Sequence, residues 1–180
     1  MSKIKILKQL DVKNKRALVR VNFDVPLNEK GEIADDFRIK ESLPTIEYLI
    51  KQKAKIILIS HLGRPDGKKS RKLSLKPIVD ELGKSLKRKV IFSKDIFGKN
   101  VERIIKKMFF GDILLLENIR FWKGEEENSF EFAEKLAKLG DVYINEAFAV
   151  SHRLHASIVG VPQLLPSAAG FLLEKEIENT

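Results

Sequence analysis

The chain has 180 residues, 43% hydrophobic and 33% charged, which fits a soluble globular domain, and its lack of cysteine excludes disulfides and cysteine-held zinc. A formal net charge of +9 invites a nucleic-acid reading, but the lysine excess sits in GKKSRKLSLK from Gly67 and KSLKRK from Lys84 with no interleaved aromatics to stack bases, so a solvated basic face is expected and no nucleic-acid partner. The start MSKIKILKQLDVKNK has no sustained apolar core or small-residue cleavage site, and no apolar stretch nears the roughly 18 residues of a membrane span, so a cytoplasmic protein without membrane attachment is expected.

The first apolar run, RALVRVNFDV from Arg16, reads as a strand. After the polar turn NEKGEIADD, the spacing of Ile39, Leu43, Ile46, Leu49 and Ile50 predicts a helix over 37–52 with Asp35 or Asp36 as its cap. Pro44, two turns in, predicts irregular or kinked first turns. The β-branched run 56–59 is the next strand. A long loop follows, then a helix capped by Ser74 that buries Leu75, Ile78 or Val79, Leu82 and Leu86. Strand 90–92, helix 101–108, strand 113–116, helix 129–139 and strand 142–145 complete the series, with Glu125, Glu126 and Glu127 read as a solvated turn before the last helix. Five short strands separated by helices predict an α/β fold: a doubly wound, mostly parallel sheet, Rossmann-like with three αβα layers, in one domain. Runs such as IILI and ILLL are continuous, as strands buried on both faces are. The tail FLLEKEIENT opens an amphipathic helix through Phe171, Leu172, Leu173 and Ile177 that stops after about two and a half turns. The chain therefore reads as the front part of something longer.

His61, His152 and His155, with Arg64, Arg120 and Arg153, all fall just after strand-like runs. In a parallel sheet those trailing loops share one edge, where open α/β sheets bind ligands. Positive charge there points to an anionic small molecule, first of all a phosphate ester. Each feature has a plainer alternative. S-H-L-G-R-P at 60–65 could be a turn, and Arg120 could pair with Glu117 or Glu125 at the surface. His152 and His155 could be satisfied loop histidines, and their His-x-x-His spacing lacks an evident third ligand, so no metal site is expected. Arg38 opens a helix, where a cation opposes the dipole, which hints at another reason for its placement. Neither G-x-x-x-x-G-K-[ST] nor G-x-G-x-x-G is present, and no G-x-S-x-G elbow. The anion site must then be built from arginine and histidine side chains with amides at helix starts, which suits a phosphorylated carboxylic acid better than a nucleotide.

VRVNFDVPLN from Val19, FRIKESLPTIEYL from Phe37, ISHLGRP from Ile59, LLENIRFWKGEEEN from Leu115, YINEAFAVSHRLHASIVGVP from Tyr143 and AGFLLEKEI from Ala169 resemble, in order and spacing, the amino-terminal domain of phosphoglycerate kinase. The resemblance covers essentially the whole chain. It implies a kinase of glycolysis with reversible phosphoryl transfer between 1,3-bisphosphoglycerate and ADP, giving 3-phosphoglycerate and ATP. It also implies that residues 1–170 form the glycerate-binding domain and that 171–180 start an interdomain helix. Mg-ATP or Mg-ADP would be bound by a missing carboxy-terminal domain and not by this chain, which is expected to be a monomer and inactive alone. The rival reading is a stand-alone binding module for a phosphorylated acid. By the resemblance, Arg64, Arg120, Arg153 and His61 hold the non-transferring phosphate, and Arg38 approaches the carboxyl and the phosphoryl group in flight. Leu62 and Gly63 form the turn that closes on the ligand, and Asn22, Phe23 and Asp24 read the hydroxyl and carboxyl. This chain departs from the family pattern at Asn22 and Asp24, whose order is exchanged, at Glu146 in place of aspartate, and at Ala149-Val150 in place of Gly-Thr.

Overall fold

The strands are too apolar for either face to meet water, and the fold covers both. The computed structural model describes residues 4–179. In it β1 (Arg16–Arg20), β2 (Lys55–Ile59), β3 (Val90–Ser93), β4 (Ile113–Leu116), β5 (Val142–Asn145) and β6 (Ser167–Ala169) form one sheet in the order β3-β4-β2-β1-β5-β6. All pairings between these strands are parallel. The helices are α1 (Phe37–Lys51), α2 (Lys76–Leu86), α3 (Lys99–Lys107), the short α4 (Lys123–Glu126), α5 (Phe130–Ala137) and α6 (Phe171–Glu178).

The two-residue period of a strand sorts its side chains onto two cores. Val19, Ile56, Leu58, Ile113, Leu115 and Ile144 pack with Ile46 and Leu49 of α1 and Ile78 and Leu82 of α2. Leu18, Ile57, Ile59, Leu114, Leu116 and Tyr143 pack on the other face with Val101 and Ile105 of α3 and Phe132 and Leu136 of α5. This is the expected three-layer αβα arrangement. Among the described residues no helix is long and apolar enough to cross a membrane.

Several local expectations shift. The first strand ends at Arg20: Val21 still donates to the Ile59 carbonyl at 3.0 Å, but the chain then leaves the ladder, and the Asn22 side chain accepts from the Asp24 amide at 3.3 Å. A sixth strand was not expected, because Ser-Ala-Ala carries neither alternation nor bulk; it forms by adding to the edge of β5. Pro44 lies inside α1 without ending it. Leu75, not the expected Ser74, stands at the cap position of α2; Ser74 lies one residue earlier and accepts from the Lys76 amide at 3.2 Å, while Glu117 takes the Leu75 amide at 2.8 Å. Ser129 caps α5 through the Phe132 amide at 3.3 Å. Glu125 corrects the solvated-turn reading: it is fully buried, since Arg20 and Ser157 lie beneath it, and no local composition reveals that. The expected tail helix forms as α6, with Phe171 donating to Thr45 Oγ1 at 2.9 Å and its ring edge-on to Tyr48. Residues 1–3 of the N-terminal stretch and Thr180 of the tail lie outside the described residues.

The order of the strands fixes where the loops part. From β1 the chain moves to β2 on one side, whereas β5 and β6 lie on the other. The segments after β1 and β5 therefore diverge and leave a crevice, the place where parallel sheets receive ligands.

Candidate functional site

A cleft of about 260 Å³ opens there, lined by Asn22, Asp24, Arg38, His61, Gly63, Arg64, Arg120, Ala149, Val150 and Arg153. Its walls come from the segments after β1, β2, β4 and β5 and from the first turn of α1. The predicted residues Asn22, Asp24, Arg38, His61, Gly63, Arg64, Arg120 and Arg153 thus converge. Phe23 and Leu62 do not join them with their side chains, which are buried in the core on the α1 side. His152 is exposed and His155 buried, and neither lines the cleft; among the described residues no cluster of histidine and carboxylate could hold a metal ion.

Asp24 organises one wall. Its Oδ1 accepts from the Gly63 amide at 2.9 Å, and its Oδ2 lies 3.6 Å from His61 Nε2 and 3.9 Å from an Arg38 terminal nitrogen. Arg38 also donates to the Asp24 carbonyl. These contacts supply the reason for a cation in the first turn of α1. Hydrogen bonding from His61, helped by the Gly63 amide and by Arg38, holds the Asp24 carboxyl down at about 2. His61 is lowered to about 3, chiefly by burial and then by Arg20 and Arg120, so the imidazole is neutral at physiological pH. Its contact with Asp24 is therefore a hydrogen-bonding approach rather than an ion pair.

Gly63 clips two segments together. Its amide binds Asp24 and its carbonyl accepts from Arg120 at 3.1 Å. Its φ of +61° favours glycine, and a Cβ would meet Leu73 Cδ2 at 2.8 Å. Arg120 sits on a 3₁₀ turn whose cap, Asn118, went unrecognised as a positioning residue. Asn118 accepts from the Arg120 amide at 3.0 Å and donates to the carbonyls of Leu62 at 2.7 Å and Leu73 at 3.0 Å. Its place two residues before Arg120 was the available signal. Arg120 pairs with neither Glu117 nor Glu125; the nearest carboxylate is Glu126, 3.9 Å from its Nε. The buried Nε atoms of Arg120 and Arg153 lack hydrogen-bond partners, and Arg64 is exposed without an ion pair among the described residues. Four guanidiniums facing a small cleft against one carboxylate make a receptor for an anion with several oxygens.

The sequence matches the family model described as "Phosphoglycerate kinase" over residues 7–180. It is similar to a phosphoglycerate kinase from Coprothermobacter proteolyticus, 49% identical over 175 residues, covering 97% of this chain and 44% of that protein. The fold is similar to the structure of phosphoglycerate kinase from Coxiella burnetii, with a TM-score of 0.87 and 38% identity over 98% of this chain and 44% of that one. It is likewise similar to the crystal structure of the Pyrococcus horikoshii enzyme, with a TM-score of 0.88 and 35% identity over 97% and 44%. The chain spans under half the length of the relatives it matches.

Proposed function

The chain belongs to the phosphoglycerate kinase family, and from that premise we propose that its cleft binds the glycerate side of the reaction, 3-phosphoglycerate or 1,3-bisphosphoglycerate. Arg64, Arg120 and Arg153 hold the non-transferring phosphate. Arg38, from the first turn of α1, faces the carboxyl end and neutralises charge as a phosphoryl group moves between the acyl oxygen and ADP. His61 contributes a neutral hydrogen bond, and Asn22 an amide to a hydroxyl. The observation that carries this reading is the pair of buried, unpartnered Nε atoms of Arg120 and Arg153 beside the free Arg64. A phosphate oxygen at the cleft supplies the acceptors they lack.

The residues present do not fit a nucleotide. Neither phosphate-cradling glycine motif occurs in the sequence, and no metal-holding cluster exists among the described residues. No step through Mg-ADP or Mg-ATP is assigned to this chain. Residues 1–170 are then the substrate domain of a cytoplasmic, monomeric glycolytic kinase, and 171–180 start the helix between domains.

Calorimetric titration with 3-phosphoglycerate tests the reading. Each charge-assisted hydrogen bond contributes roughly 1.5–3 kcal/mol, so Arg64→Ala should weaken binding about tenfold to a hundredfold. Equal affinities would remove Arg64 from the site. A binding module without transfer shares this geometry; in a coupled assay the pure chain is expected to show no turnover under either reading, and a longer native polypeptide on a blot is what separates the two.

A further inference from the structure

Behind the cleft lies a chain of buried polar groups that reaches the ligand-facing surface only through His61. Arg20 is 0% exposed and does not line the cleft. Its Nε donates to Ser157 Oγ at 2.9 Å, one terminal nitrogen donates to the Val21 carbonyl, and the other meets His61 Nδ1 at 2.8 Å. Ser157 in turn donates from its hydroxyl to Glu125 Oε1 and from its amide to Oε2 at 3.0 Å. Ser157 belongs to a π-helical turn, Ala156–Gly160, a local departure from α geometry that recurs at functional sites.

Donor and acceptor chemistry orients every link. A guanidinium only donates, so Ser157 Oγ and His61 Nδ1 must both accept from Arg20. The single Ser157 hydroxyl proton then goes to Glu125, whose two oxygens both accept, which is the pattern of a carboxylate. With Nδ1 occupied as an acceptor, the neutral His61 ring carries its proton on Nε2, the atom that faces Asp24 and the cleft. We infer that Glu125 is a positioning residue for the anion cleft, acting through Ser157 and Arg20 to hold His61 as the Nε2–H tautomer. The inference rests on the cleft being the anion site proposed above. Charged groups from each neighbouring element bear on the ring: Arg20 from β1, Asp24 from the segment after it, and Arg120 from the turn after β4. Burial disfavours charge on both ends of the relay, lowering Arg20 and raising Glu125, and each offsets the other's shift. Neither end is sustained alone.

The test reads the tautomer directly. Long-range ¹H–¹⁵N spectra of the unliganded 180-residue chain near neutral pH should show His61 as the Nε2–H form. Glu125→Gln, nearly isosteric, removes the charge that holds Arg20, and should shift His61 toward mixed tautomers while weakening 3-phosphoglycerate binding about tenfold. Ser157→Ala removes only the bridging hydroxyl and should move both readouts in the same direction by less; it carries the test if Glu125→Gln fails to fold. An unchanged Nε2–H signature in a folded variant of either kind, or an Nδ1–H form in the parent chain, would overturn the inference. If the tautomer responds but the parent chain binds no 3-phosphoglycerate, the relay stands and the substrate assignment fails.

Discussion

Two carboxylates, Glu125 beneath the cleft and Glu146 beside α6, are buried to the same degree, 0% and 1% exposed, and are surrounded very differently. Burial pushes both upward. At Glu125 the Arg20 guanidinium and two donors from Ser157 oppose it, and both oxygens are satisfied. At Glu146 only Oε1 is served, by Thr45 Oγ1 at 2.8 Å and the Leu172 amide at 3.1 Å. Its Oε2 has no hydrogen-bond partner among the described residues, Glu41 adds repulsion, and burial pushes the carboxyl up to about 8. The contrast teaches that equal depth raises two buried acids alike, while their neighbours decide how much of that rise is opposed. One acid is braced by a guanidinium and two Ser157 donors beneath the cleft, and the other, pushed up to about 8, stitches α1 to the start of α6.

The sharpest way to break this contrast is Glu125→Ala, which strands the Arg20 charge in the core. Losing one partner of a buried pair costs about 3–5 kcal/mol, and urea unfolding should show a loss of that order. A loss under about 1 kcal/mol would mean that Arg20 has another counter-charge.

The second test uses pH. Glu146 has a folded value of about 8 against an ordinary 4.5, so the folded state holds its proton more tightly than the unfolded one. Stability from this group is full below the unfolded value and is lost as pH rises toward the folded one. Glu146→Gln keeps the shape without the titration. Relative to this variant, the parent chain should lose about 2–4 kcal/mol between about pH 5 and about pH 8. Parallel stability curves would show that Glu146 is already ionised.

The smallest effect is expected at Asp24, a third carboxylate, half-exposed and held low by donors from three directions. The exchange Asn22→Asp/Asp24→Asn keeps the composition of the cleft, and both positions line it. An asparagine at 24 can still accept from the Gly63 amide through its side-chain oxygen. Affinity for 3-phosphoglycerate should change by less than about tenfold. A gain of about a hundredfold would mean that the native order disables the site.

Much of this protein is legible from its sequence, because the relevant physics is local and periodic. Strand alternation dictates two cores, helical spacing places α1, α2 and α5, and continuous apolar runs require a parallel sheet covered on both faces. A parallel sheet brings the ends of its strands together, so Arg64, Arg120 and Arg153 could be placed on one edge before any contact was known. What only the tertiary structure decided is the partner of each buried polar group. Phe23 and Leu62 share segments with cleft residues, yet their apolar side chains turn into the core. Ser157 and Arg20 carry no pattern that sets them apart from ordinary turn and strand residues. Arg20 and Ser157 are 137 residues apart in the chain, and Thr45 and Glu146 101. How far burial is opposed at Glu125 and at Glu146 follows from those distant neighbours. No local window of sequence contains both members of such a pair, and the free energy of a buried charge depends on nothing else so strongly.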